Sequence, residues 1–183
     1  DSFIGSNRVA KKVAAQAAKN LVPTTLELGG KSPTIIGTNA NMALAAERIL
    51  FSKTLNAGQI CLSPDYIFVK KDEEKNLISE LQKAYSKFFP EPNSHNQTSM
   101  VNKHHLKRMN SYLLDATKKG ATVESLGKND DLDKNMISTK IVTEVNDGMD
   151  VMKHEIFGPV LPIMTYDSIS DVVDYINKND NPL

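Results

Sequence analysis

The chain has 183 residues, with 22 lysines and arginines against 22 aspartates and glutamates, so its formal net charge is zero, and 40% of it is hydrophobic. This is the composition of an ordinary soluble domain, and the length suits one substantial α/β domain, or one such domain with a piece of another, but not two complete cofactor-sized domains. Zero net charge gives no long-range attraction to nucleic acid or an anionic membrane surface, so neither partner is expected. No apolar stretch reaches the roughly 20 residues of a membrane-spanning helix. The opening Asp1–Ser6 lacks both an initiator Met and a basic-then-apolar signal pattern, and reads as a cut inside a domain. With a single cysteine, Cys61, no intrachain disulfide can form, and the cytoplasm is the expected compartment.

Along the chain, Val9, Ala10, Val13, Ala14, Ala17 and Ala18 fall at helical spacing over 8–19, opposite Arg8, Lys11, Lys12 and Lys19, with Pro23 as the expected stop. Thr24–Leu28 reads as a strand running into Gly29-Gly30, and Pro33–Gly37 as a short buried strand. Asn41 suits the N-cap of a helix over 42–56 carrying Leu44, Ala45, Ile49 and Leu50, with Gly58 just past its end. Tyr66–Val69 is a β-branched and aromatic strand leading to a helix over 73–88 with Leu77, Ile78, Leu81, Ala84, Tyr85 and Phe88 on one face. Pro90 and Pro92 open a polar loop, and 102–119 predicts an amphipathic helix stopped by Gly120. Residues 124–137 read as an exposed loop, Ile141-Val142 and Val160–Met164 as strands, and Ile169, Val172, Val173 and Ile176 as the face of a last helix. The alternation predicts an α/β fold with a mostly parallel, helix-covered sheet.

Two residues invite a chemical reading. A lone cysteine is by default a small buried hydrophobe, yet Asn56-Ala57-Gly58-Gln59-Ile60-Cys61 places the sulfur after a helix stop, where a turn can aim backbone N–H groups at the sulfur and at an incoming carbonyl oxygen. Glu27, between Leu26 and Leu28, is either a strand-end carboxylate pointing to solvent or a desolvated one tuned toward general-base duty. His95, His104, His105 and His154 have no metal-ligand spacing, since adjacent helical residues point about 100° apart, and no metal site is expected. Lys70-Lys71 and Lys118-Lys119 read as solvated faces, and the scattered methionines as core filler.

Three segments, Leu26-Glu27-Leu28-Gly29-Gly30-Lys31-Ser32-Pro33, Asn56-Ala57-Gly58-Gln59-Ile60-Cys61 and Glu155-Ile156-Phe157-Gly158-Pro159-Val160, resemble in order and spacing the signatures of the aldehyde dehydrogenase superfamily. The opening Phe3–Ala10 resembles that family's dinucleotide-binding turn and helix, so the likeness spans nearly the whole chain. Cys61-Leu62-Ser63-Pro64-Asp65-Tyr66 looks most like the class 3 and coniferyl aldehyde dehydrogenase branch. Four positions depart from the family pattern: Ala10 stands for a Gly, Ile4 and Ile60 for Thr, and His154 for an acidic residue.

The resemblance implies oxidation of an aldehyde, aromatic such as coniferyl aldehyde or long-chain, to the acid with NAD or NADP. Cys61 would be the nucleophile, and Glu27 the base that activates water against the thioester. Cofactor contacts would come from Gly5 and Ser6 near the pyrophosphate, Leu28 and Gly29 against the nicotinamide, Glu155 on the nicotinamide-side ribose, and Phe157 beside it. It also implies that residues 1–26 are a remnant of the dinucleotide-binding domain and 27–183 a C-terminally truncated catalytic domain. The family's oxyanion-hole Asn and adenosine-ribose Lys would lie outside the chain, leaving the cofactor site incomplete and the isolated chain inactive. The full-length protein would be a homo-oligomer. Two rivals stand beside this reading: a cysteine hydrolase pairing Cys61 with a histidine, and a non-catalytic oligomerisation domain that keeps the signatures.

Overall fold

The computed structural model describes residues 1–90, 97–128 and 130–179, so Pro92 and His95 lie outside the described residues. In chain order the elements are β1 (Ser2–Gly5), α1 (Asn7–Lys19), β2 (Thr25–Leu28), β3 (Pro33–Ile35), α2 (Met42–Thr54), β4 (Tyr66–Lys70), α3 (Glu74–Phe88), α4 (Lys103–Lys118), β5 (Thr122–Ser125), β6 (Lys140–Thr143), α5 (Asp150–Lys153), β7 (Val160–Tyr166) and α6 (Ile169–Asn177). β1 and β2 form a separate parallel pair, while the main sheet runs β3-β4-β7-β6-β5, parallel throughout except at β5–β6. The expected mostly parallel, helix-covered α/β architecture is therefore present.

Strand β4 is buried on both faces. Ile67 and Val69 join Ile141, Leu161 and Ile163 beneath α2 and α3, while Tyr66 and Phe68 join Val142 and Val160 beneath α4, α5 and α6. Strict alternation of side chains along a strand splits the core into these two clusters.

Several local expectations need correcting. α1 ends well before Pro23: the Val22 N–H reaches back to the Ala17 carbonyl at 3.1 Å and Leu21 takes a left-handed φ of +54°, a Schellman-type closure without glycine. β3 is an edge strand rather than a buried one, with Ile35 41% exposed because only β4 flanks it; Ile36 takes the buried place, and its N–H bonds Phe68 at 2.9 Å. α2 is capped as expected, the Asn41 side chain accepting from the Leu44 N–H at 3.1 Å. It stops at Thr54, however, and its buried face is Ala46, Ile49, Leu50 and Lys53 rather than one including Leu44. The start of the expected 124–137 loop is paired: β5 lies antiparallel on β6 because Val123, half-buried, packs on the core. α5 carries no sequence periodicity, being only four residues long.

Because β3, β4 and β7 are adjacent and parallel, the segments leading into them sit at one end of the sheet. These are Gly29–Ser32, Cys61–Asp65 and His154–Pro159. Among the described residues, no helix is long and apolar enough to cross a membrane.

Candidate active site

The cysteine segment begins with a reversal that the sequence marks only by Gly58. Asn56, Ala57 and Gly58 take left-handed φ values of +52°, +54° and +69° in succession. A Cβ on Gly58 would stand 2.5 Å from the Gly158 carbonyl oxygen, so the turn needs glycine both for its conformation and for its close approach to the third motif. Gln59 locks the turn. Its buried amide donates to the Asn56 and Ser99 carbonyls at 2.9 and 3.2 Å, and its oxygen accepts from the Val101 N–H at 2.9 Å. Cys61 follows, exposed, above a tight turn closed by the Ser63 N–H on the Ile60 carbonyl at 3.0 Å. A thiol open to solvent beyond a rigid turn suits a nucleophile better than a packing hydrophobe.

Four residues later Asp65, 3% exposed, joins all three segments. Its N–H donates to the Ser32 carbonyl at 2.9 Å, one carboxylate oxygen accepts from the Ile156 N–H at 2.8 Å, and the other pairs with the Lys31 ammonium. Lys31 also donates to the Val151 and His154 carbonyls at 3.0 and 3.2 Å and lies over the Tyr66 ring. From the other side Arg108 of α4 donates to the carbonyls of Glu155 at 3.2 Å and Phe157 at 3.4 Å. Glu155 is thus held at the backbone on both flanks. Its carboxylate rests on Gly29 so closely that a Cβ there would lie 2.1 Å from both oxygens, and it accepts from the Gly30 N–H. Burial, then the Asp65 carboxylate, pushes the Glu155 carboxyl above the usual range; the Gly30 N–H, Arg108 and Lys31 oppose that rise.

Phe157, half-buried with a φ of +46°, and Gly158, pressed under the Met109 sulfur, complete this segment. Leu28 pairs in register with Gly5, and Ile4 with Glu27. Ser6 lies between β1 and α1 as the N-cap of the helix, its carbonyl accepting from the Val9 and Ala10 N–H groups at 3.0 Å. Glu27 enters the same corner through the backbone, two residues before Gly29, and its side chain is open to solvent. Leu26 and Leu28 project to the other strand face, so of the two placements the sequence left open, the carboxylate pointing to solvent is the one found.

A model of the aldehyde dehydrogenase family matches residues 2–183. The chain belongs to the aldehyde dehydrogenase family. It is 40% identical to the coniferyl aldehyde dehydrogenase of Pseudomonas sp. strain HR199 over 99% of its own length and 39% of that relative's. Among solved structures it resembles the substrate-bound state of Staphylococcus aureus AldH, with a TM-score of 0.92 at 38% identity over 100% of this chain and 39% of that one. It also resembles a betaine aldehyde dehydrogenase double mutant from S. aureus in complex with NAD+, with a TM-score of 0.83 at 25% identity over 94% of this chain and 36% of that one. The chain thus spans about two fifths of the length of these aldehyde dehydrogenases.

Sequence reasoning passed over the residues that hold the aldehyde dehydrogenase motifs together: Lys31, Asp65, Arg108, Gln59 and, fully buried on α2, Lys53. For Lys53 a signal was present, since Ala46, Ile49, Leu50 and Lys53 fall at i, i+3, i+4, i+7 on the buried face. The histidines stand on the α4 side: His105 meets Arg108, and His154 stacks on Tyr112. Among the described residues, no histidine hydrogen-bonds Cys61.

Proposed function

We propose that the full-length protein oxidises an aldehyde to its carboxylic acid with NAD or NADP, and that Cys61 and Glu27 carry the chemistry. The observation that carries this reading is the junction of the three signature segments at one end of the sheet, with the exposed Cys61 thiol presented beyond the Asn56–Gly58 turn. The Cys61 thiolate adds to the aldehyde carbon, giving a thiohemiacetal whose oxyanion takes a hydrogen bond from the Cys61 N–H. A bound nicotinamide would supply the acceptor for the hydride that this carbon must lose. Glu27 then removes a proton from water attacking the thioester, and the acid leaves as the thiolate is restored.

The residues fit the dinucleotide. A pinned carboxylate at Glu155, still partly open, suits paired sugar hydroxyls, Phe157 and the flat Leu28-Gly29 backbone suit an aromatic ring, and Gly5-Ser6 at the start of α1 suits the pyrophosphate. Residues 1–26 belong with the cofactor domain and 27–183 with the catalytic domain. The separation of the β1–β2 pair from the five-stranded sheet supports a boundary near β2. An aromatic aldehyde such as coniferyl aldehyde, or a long-chain one, is the favoured substrate, supported by the activity named for the Pseudomonas relative and by Leu62, 69% exposed beside Cys61. The test is Cys61→Ala in the full-length protein. NAD(P)-dependent oxidation is lost while circular dichroism is unchanged; near-normal turnover overturns the nucleophile assignment.

A further inference from the structure

Lys53 is a lysine with no exposed surface, placed in the last turn of α2 where lysines normally reach water. Its ammonium donates to the Pro64 carbonyl at 2.8 Å, and its own carbonyl lies 3.1 Å from the position a Cβ on Gly58 would take. One residue therefore abuts both ends of the span Gly58–Pro64, and Cys61 sits between them. An apolar side chain of similar length would fill the same space without desolvating a charge, so packing alone does not account for a lysine here.

We propose that Lys53 is a positioning residue for the nucleophile, holding the Pro64 carbonyl from beneath so that the Gly58–Pro64 span presents Cys61 in one fixed geometry. The inference rests on the reading of Cys61 as nucleophile. The charged groups facing Lys53 come from three segments: Asp65 from the cysteine segment, Glu155 from the third motif, and Lys31 from the first. Asp65 and Glu155 favour the ammonium and Lys31 disfavours it, while burial, the largest influence, brings its titration down to about 8. Around that pH the charge-assisted bond to Pro64 becomes a weaker amine–carbonyl bond. The grip on the loop then slackens within the range where thiols ionise.

The experiment uses the full-length protein as wild type, Lys53→Met, Asp65→Asn and Cys61→Ala. Measured are the thermal midpoint, the rate of Cys61 alkylation by iodoacetamide from pH 6 to 10, and kcat and KM for aldehyde and nucleotide. Wild type should show two ionisations in its alkylation profile, one near pH 8. Lys53→Met should remain at least as heat-stable, give a single-ionisation profile with about tenfold slower alkylation at pH 7, and lose about tenfold in kcat with nucleotide KM within twofold. Asp65→Asn, which removes a carboxylate favouring the ammonium, should move the step near pH 8 downward. A wild-type profile of one ionisation overturns the proposal whether or not the variants fold. So do a Lys53→Met profile and kcat matching wild type, a loss that merely tracks unfolded protein, and an unmoved step in Asp65→Asn. Cys61→Ala separates the two readings. If it retains oxidation, the nucleophile assignment fails; if it loses oxidation while Lys53→Met is unaffected, only the role of Lys53 fails.

Discussion

Glycines 29 and 58 occupy positions where a single added methyl group meets a close neighbour, of a different kind in each case. A Cβ on Gly29 meets the Glu155 carboxylate, the movable end of a side chain, whereas one on Gly58 meets the Gly158 backbone at a positive φ. Gly29→Ala should therefore leave stability within about 1 kcal/mol, as mutations away from rigid core features do, while displacing Glu155 and raising the nucleotide KM. Steady-state kinetics beside a urea melt check both halves. Gly58→Ala has no such escape and should cost about 1–3 kcal/mol in the same melt. For Lys53, whose folded titration lies below its unfolded value of 10.5, the unfolded chain binds more protons between about 8 and 10.5. Stability therefore rises with pH across that window, and below it the buried charge costs about 3 kcal/mol. Lys53→Met removes that cost but strands the Pro64 carbonyl, worth about 1–3 kcal/mol. Its advantage in thermal midpoint should be largest near pH 7 and shrink between pH 8 and 10.5; a difference that is flat with pH contradicts this.

At the scale of elements, the turn before Cys61 is held by Gln59, which ties it to the 99–101 segment through the Ser99 carbonyl and the Val101 N–H. Gln59→Ala leaves those groups without their partner and should cost about 2–3 kcal/mol by denaturant melt, with faster hydrogen exchange confined to 56–63 and 99–101. Periodicity made α2, α3 and α4 legible, because each buries one face, and placed α1 and α6, although these bury only Ala10 and Val172 fully and leave Val9, Ile169 and Val173 exposed; it located β4 and β7 through their apolar runs. It was blind to edges and short pieces. β3 reads as buried in sequence because Ile35-Ile36 is apolar, yet only Ile36 faces the core; β5 is legible only once β6 is there to pair with it. The site divides in the same way. Cys61, Glu155 and Gly29 stand in local motifs, whereas Arg108 on α4 and Lys53 on α2 reach them only through tertiary packing across 47 residues in one case and 11 in the other. Glu27 shows the converse limit: its flanking leucines left a desolvated carboxylate open as one of two readings, and strand alternation directs them to the opposite face.

For the molecule as a whole, the β1–β2 pair shares no strand with the main sheet and leaves Ile4 79% exposed, and on the proposed reading the chain would contribute one strip of a dinucleotide site. Holding aldehyde, thiolate and nicotinamide together can account for about 7–11 kcal/mol of barrier lowering. The 183-residue chain expressed alone should therefore give an alkylatable Cys61 but no measurable NAD(P)-dependent aldehyde oxidation. Absorbance of reduced nucleotide and calorimetry with each nucleotide check this, and micromolar binding with turnover would contradict it. The most direct test of the central claim is rapid-quench peptide mass spectrometry on the full-length Glu27→Gln protein during its first turnover with aldehyde and nucleotide. The account predicts reduced nucleotide formed in step with an acyl adduct on the peptide containing Cys61, persisting because the base that would hydrolyse it is gone. Reduced nucleotide appearing while that peptide stays unmodified would contradict it.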